Sequence, residues 1–194
     1  MGKKTLPLAS ATSPLWIKTV LENFDNFLID HANCERKANA LLMSFIVKYP
    51  DRPNIIPGLI ELAKEELDHF SETYSFMEKR GLQFTKDEPD PYINQLLAKA
   101  RHGRDDRFID RMLISSIVES RGAERFKIIS DHVSDPELIE FYNRLWKSEL
   151  KHSNVFLIML YGEYPKERIL KRLEELINIE AKILDSLEFR AALH

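Results

Sequence analysis

Cysteine is almost missing from this chain: Cys34 is the only one in 194 residues. A lone cysteine excludes an internal disulfide, and without a Cys-x-x-Cys there is no thiolate set for structural zinc or a rubredoxin-type iron. A reducing cytoplasm is the expected compartment. Glycine is scarce too, at 6 residues, which leaves few tight turns and points to an all-α chain. The longest apolar runs, Leu41 to Val47 and Val155 to Tyr161, are far shorter than the roughly 20 residues that cross a bilayer, so no membrane is expected. The residues after Met1-Gly2-Lys3-Lys4 lack the apolar stretch and cleavage site of a signal peptide, and Leu6 stands where a myristoylation motif needs Ser or Thr. No strong charge of one sign is present either. A net charge of −3 and a pI near 6.1 exclude recruitment of nucleic acid by the overall field and leave only local patches.

What is present is helical pattern. At 22.7 kDa, with 44% hydrophobic and 30% charged residues, the chain reads as one domain over 1–194, with residues 1–12 a loose tail. Ser13-Pro14 starts a helix, hydroxyl cap then proline, and the pattern persists to Tyr49-Pro50, with a break expected near Glu22 to Asp25. Three prolines from Pro50 to Pro57 lead into a second long helix that Gly81 should close. From Leu82 to Gly103 the pattern weakens around a short helix opened by Pro89-Asp90-Pro91, a long crossover between the second and third main helices. The third runs from about Arg104 to His132, where Gly122 is expected to permit a close approach beside Glu119. The fourth runs from Ser134-Asp135-Pro136 to Gly162, and a fifth from Pro165 towards Arg190.

Four of these helices carry a glutamate in the apolar stripe. Positions 59, 62, 66, 69, 73 and 76 read Leu, Leu, Glu, His, Thr, Phe, so Glu66 and His69 face inward from one helical surface. The arrangement returns 149 − 66 = 83 residues later as Glu149 and His152. Another inward glutamate precedes each pair by a similar distance: Glu35 lies 31 residues before Glu66, and Glu119 lies 30 before Glu149. Four inward carboxylates would repel one another, and two divalent cations would neutralise them. One Glu from each of two helices and a Glu-x-x-His from each of the other two is the pattern of ferritin-like di-iron and di-manganese bundles. The expected architecture is therefore a four-helix bundle with extra N- and C-terminal helices. Oxygen-rich ligation with one imidazole per metal suits iron or manganese better than zinc, which favours Cys and His.

The bland alternative makes these glutamates surface residues and the histidines satisfied core groups. It suits a single pair better than six residues at near-equal spacing. Outside the six, His31 reads as a buried structural residue or a partner of Glu35, Cys34 as a small packed side chain, and Glu65 and Asp68 as solvated. Glu124 and His132 have no partner visible in the sequence. Phe70, Phe126 and Phe156, each one turn from a ligand, are candidates to line an apolar pocket. Two basic clusters, Arg101, His102, Arg104, Arg107 and Arg111, then Lys166, Arg168, Lys171 and Arg172, read first as solvated helix faces.

The runs Asp30-His31-Ala32-Asn33-Cys34-Glu35-Arg36-Lys37-Ala38, Glu65-Glu66-Leu67-Asp68-His69-Phe70, Glu119-Ser120-Arg121-Gly122-Ala123-Glu124-Arg125-Phe126 and Glu149-Leu150-Lys151-His152 resemble the bacterial tRNA 2-methylthio-isopentenyl-adenosine hydroxylases. The likeness covers nearly the whole chain, and no family ligand position is lost. It implies a monooxygenase that hydroxylates the isopentenyl group of the hypermodified adenosine beside the tRNA anticodon. It also implies a di-iron centre on Glu35, Glu66, His69, Glu119, Glu149 and His152, with dioxygen as co-substrate. Electrons would come from a separate reductase, since no flavin or nicotinamide fingerprint is present. The basic clusters become candidates for phosphate contacts. A ferritin-like iron-storage or peroxide-scavenging protein would use the same six ligands, and a metal-free helical interaction module would use none. A monomer or small oligomer fits the hydroxylase, a large cage the storage protein.

Overall fold

The computed structural model describes residues 6–85 and 88–194. Among the described residues there are seven helices: α1 Pro14–Glu22, α2 Phe24–Lys48, α3 Ile56–Lys79, α4 Pro91–Leu97, α5 Arg104–His132, α6 Pro136–Glu163 and α7 Lys166–Ser186. No strand occurs among the described residues, in agreement with the all-α expectation. No described helix is long and apolar enough to cross a membrane.

The punctuation read from the sequence is visible in the caps. Asp90 accepts from the backbone N–H groups of Tyr92 (2.8 Å) and Ile93 (3.2 Å) at the start of α4. Asp135 accepts from Glu137 at 2.9 Å at the start of α6, each helix having proline in its first turn. Gly81 follows α3 with a φ of 68°, a left-handed conformation that glycine adopts without a Cβ penalty. Two expectations need correction. The last helix stops at Ser186 rather than near Arg190, because the Ser186 hydroxyl takes the Ile183 carbonyl and Leu187 turns extended. Gly122 is no close approach: a Cβ there would meet only the Phe126 ring, at 3.9 Å.

Chain contacts divide the protein into two compact units. One comprises residues 18–88 with 189–193. Here α2 and α3 run antiparallel, joined by the proline-rich turn. Leu28 and Ala32 of α2 meet Met77 of α3, with Ile29, Phe70, Phe76 and Leu82 packed around them. Farther along, Asn39 donates to the Ala63 carbonyl at 2.6 Å, and Arg80 binds Asp25 at the other end. The backbone of Leu193 donates to Asp30 at 2.7 Å, which fastens the 189–193 segment to α2.

The other unit comprises the chain through Ile17, Pro89–Glu188 and His194. Antiparallel α5 and α6 form its centre, and small residues let them approach: the Ser116 hydroxyl reaches the Ser153 carbonyl at 2.8 Å. Phe108, Met112, Ile117, Ile129, Tyr142 and Leu160 are buried without exposure, each worth about 1.5–3 kcal/mol of transfer free energy. α7 runs parallel to α5, tied to it at Asp110–Arg172 and again at Arg121–Glu180.

Arg121 makes five hydrogen bonds, the full donor capacity of a guanidinium. It reaches both oxygens of Glu180, the Ser10 carbonyl, the Thr12 hydroxyl and Glu124. Tyr92 also donates to Glu180, at 2.9 Å, and burial together with the Glu180 charge pushes the Tyr92 phenol well above its ordinary range. Within the tail expected over 1–12, Ser10 and Thr12 are instead held by buried polar partners. Residues 1–5 lie outside the described residues.

Candidate metal centre

Each unit carries half of the six-residue set. In the α2–α3 pair, Glu35 and Glu66 are 4% and 1% exposed. His69 places Nδ1 3.8 Å from Glu35 Oε2 and 3.7 Å from Glu66 Oε2. Those separations are too long for hydrogen bonds. They suit donors that share one ion, because ligands each about 2.1 Å from a cation stand roughly 3–4 Å apart. The second oxygen of Glu35 lies 2.7 Å from Nε2 of the buried His31. One carboxylate thus has one oxygen oriented by an imidazole and the other turned to His69. Burial of Glu35 and Glu66 follows from helix period, since both lie in line with Leu28, Leu42, Leu59 and Leu62.

In the α5–α6 pair, Glu149 is 2% exposed and His152 fully buried. His152 Nδ1 lies 3.2 Å from Glu149 Oε2, and its Nε2 lies 3.3 Å from the Ser148 hydroxyl. Glu119 is half-buried on α5. The α2–α3 pair thus brings together two carboxylates and an imidazole, and the α5–α6 pair brings together the Glu149 carboxylate and the His152 imidazole: hard oxygen ligands with one nitrogen in each half. That composition fits a divalent iron or manganese ion.

The remaining sequence candidates fall elsewhere. Asp68 is exposed, Glu65 half-buried, and Cys34 half-buried with its thiol 3.7 Å from Asp30. Glu124 does have partners, Thr12 and Arg121, and His132 Nδ1 meets the Ile128 carbonyl at 2.8 Å. Phe126 and Phe156 are core residues, Phe126 against Tyr142, whereas Phe70 belongs to an aromatic cluster with Tyr74 and Phe84.

The two basic clusters do come together. Arg101 and Arg168 both bind Asp106, and Arg101 and Arg172 both bind Asp110. Burial alone would raise the Asp110 carboxyl; hydrogen bonds from Arg172 and Arg101 outweigh it and hold the group below its usual range. Arg101 and Arg172 are thereby committed to holding α7 and the α4–α5 turn against α5. Exposed Arg104, Arg107, Lys166 and Lys171 surround them.

Residues 3–194 fit the family tRNA-(MS[2]IO[6]A)-hydroxylase (MiaE). The chain belongs to this family. Among its relatives, the tRNA 2-(methylsulfanyl)-N(6)-isopentenyladenosine(37) hydroxylase of Pseudomonas putida is 32% identical over 170 residues, covering 88% of this chain and 82% of the relative. The protein of the same name from Salmonella typhimurium is 28% identical over 130 residues, 67% of this chain and 47% of the relative. Among solved structures, a Synechococcus protein described as having aldehyde deformylating oxygenase activity superposes with a TM-score of 0.91 at 32% identity, covering 96% of this chain and 94% of that one. The fold is thus that of the ferritin-like helical oxygenases.

The sequence reading missed Asp110, Arg121 and Glu180. Glu180 carried a usable signal, because it occupies the apolar stripe Ile169, Leu173, Leu176, Glu180, Ile183 of α7 and demands a buried partner.

Proposed function

We propose that this chain hydroxylates the isopentenyl group of 2-methylthio-isopentenyl-adenosine in tRNA, and that Glu35, Glu66, His69, Glu119, Glu149 and His152 together hold two iron ions within one domain. The observation that carries the metal reading is His69 at ligand-sharing distances from both Glu35 and Glu66, repeated in part by the buried Glu149–His152 pair of the other unit. Membership of the family supplies the substrate class. Two irons bound there would supply activation of dioxygen and hydroxylation of an unactivated C–H bond, with two electrons from a separate reductase.

The protein's own residues prepare that chemistry. His31 holds one oxygen of Glu35 so that the other keeps its direction. With its hydrogen on Nε2, beside the Ser148 hydroxyl, His152 would present the Nδ1 lone pair on the Glu149 side to a cation. Burial of Glu35, Glu66 and Glu149 would keep bulk water from a metal held there. The exposed Arg104, Arg107, Lys166 and Lys171 offer contacts to tRNA phosphates. The cytoplasm, where tRNA resides, is the working compartment.

The test is metal content and turnover in wild type, Glu66→Ala and Glu149→Ala. About two irons per wild-type chain, and loss of iron and activity in both variants with helicity retained, is the expected result. Full iron and full turnover in either variant contradicts the ligand set. The 32% likeness to the Synechococcus oxygenase makes an aldehyde the control substrate; its turnover by a chain that leaves tRNA unchanged would replace the tRNA reading. Iron uptake without either reaction would favour storage or peroxide scavenging.

A further inference from the structure

Beside the α2–α3 half-site lies a group of rings that the metal chemistry does not use. Phe84, in the segment after α3, stacks on Phe70 at 6.1 Å between centroids with 15° between planes. It also stacks on Tyr74 at 5.7 Å and 21°. The Arg36 guanidinium sits 5.2 Å over the Phe84 ring. Phe70 is anchored on the Leu28, Ala32 and Met77 cluster, while Tyr74 and Phe84 keep 37% and 36% of their surface exposed. The position is specific in the sequence: Arg36 follows Glu35, and Phe70 follows His69.

We propose that Phe84, Tyr74 and Arg36, supported by Phe70, form a stacking platform for an unpaired base of the tRNA substrate next to the modified adenosine. This rests on the tRNA reading above. The adenosine beside the anticodon lies in a single-stranded loop, whose bases can be splayed apart so that one flanking the bound nucleotide seeks a new stacking partner. Exposed aromatic faces and guanidinium planes are what RNA-binding proteins offer to such bases. Charge fits the same occupant. Among the described residues Arg36 spends one hydrogen bond on Asn33, at 2.8 Å, so most of its five donors are open to phosphate. The adjacent Lys37 is exposed as well.

The test uses the iron-loaded full chain and an anticodon stem-loop RNA carrying the modified adenosine, with affinity read by fluorescence anisotropy. Phe84→Leu and Tyr74→Leu keep apolar bulk but remove the flat face. Each should weaken binding about tenfold, and Phe84→Trp should restore it. RNA made abasic at a nucleotide flanking the adenosine should bind wild type more weakly by a similar factor and should show no further loss with Phe84→Leu. The platform is overturned if both leucine variants bind like wild type, if their losses are the same on abasic and intact RNA, or if wild type binds no stem-loop. Should the flank-dependent losses appear while no RNA is hydroxylated, the platform stands and the hydroxylase reading fails.

Discussion

Arg121 donates to both carboxylate oxygens of Glu180, at 2.9 and 3.1 Å, and neither side chain has any solvent exposure. Burial would lower the affinity of the guanidinium for its proton, yet the Glu180 bond and charge raise it above the usual value. The pair locks α5 to α7, and the other donors of Arg121 hold the chain at Ser10 and Thr12. The Glu-Ser-Arg-Gly-Ala-Glu-Arg-Phe run thus combines one proposed ligand, Glu119, with a structural pin.

Removing one partner of such a pair strands a buried charge. Glu180→Leu should cost roughly 3–5 kcal/mol in urea unfolding, and Arg121→Met with Glu180→Leu should recover much of that loss, because the double variant removes both charges of the pair. Equal losses in the single and double variants would show that packing, not charge, dominates the site.

This pair also shows how far the sequence can be read. Helix period places Glu180 inward by the same logic that places Glu66 and Glu149 inward, and the structure agrees for all three. Period cannot say whether the partner is a cation on another helix or a metal ion, because that depends on which side chains meet across the core. The Glu-x-x-His spacing singles out Glu66 and Glu149, whereas Glu35 and Glu119 lack it as Glu180 does and enter the proposed ligand set through their regular spacing before those two pairs. Cap signals were legible for a similar reason, being local: Asp90, Asp135 and Gly81 act on backbone within a few residues. Asp110 was not legible, since its partners Arg101 and Arg172 come from either side of α5 and looked like solvated charge.

Asp110 makes a pH prediction. Its carboxyl is held below the ordinary 3.8 in the folded protein, so the unfolded chain takes up a proton first as pH falls. The stabilisation is fully present above the ordinary carboxylate range and is lost as pH falls through the lowered folded value. Asp110→Asn should unfold more easily near neutral pH, and its melting temperature should fall less steeply than that of wild type below about pH 4. Parallel acid curves for the two proteins would remove Asp110 from the account.

Gly122 lies within α5, and a methyl group there meets only ordinary contact with Phe126. Gly122→Ala should therefore raise stability by about 0.5–1 kcal/mol through helix propensity, seen as a higher melting temperature. A fall would mean that the α5 surface beside Glu119 has no room for a Cβ.

The half-sites predict their own spectroscopy. His31→Ala leaves all six proposed ligands in place but removes the imidazole that holds Glu35 Oε1. Iron should bind about 10–100-fold more weakly, with an altered optical spectrum and the helices intact. Wild-type affinity and spectrum in His31→Ala would make that histidine a packing residue.

The central claim is tested most directly by nucleoside analysis of tRNA incubated with the iron-loaded protein, a chemical or enzymatic reductant and dioxygen. The expected result is one added oxygen atom on the isopentenyl group of 2-methylthio-isopentenyl-adenosine, labelled when the dioxygen is isotopic, and absent with Glu66→Ala. Unmodified tRNA from a protein that holds two reducible irons would contradict the assignment.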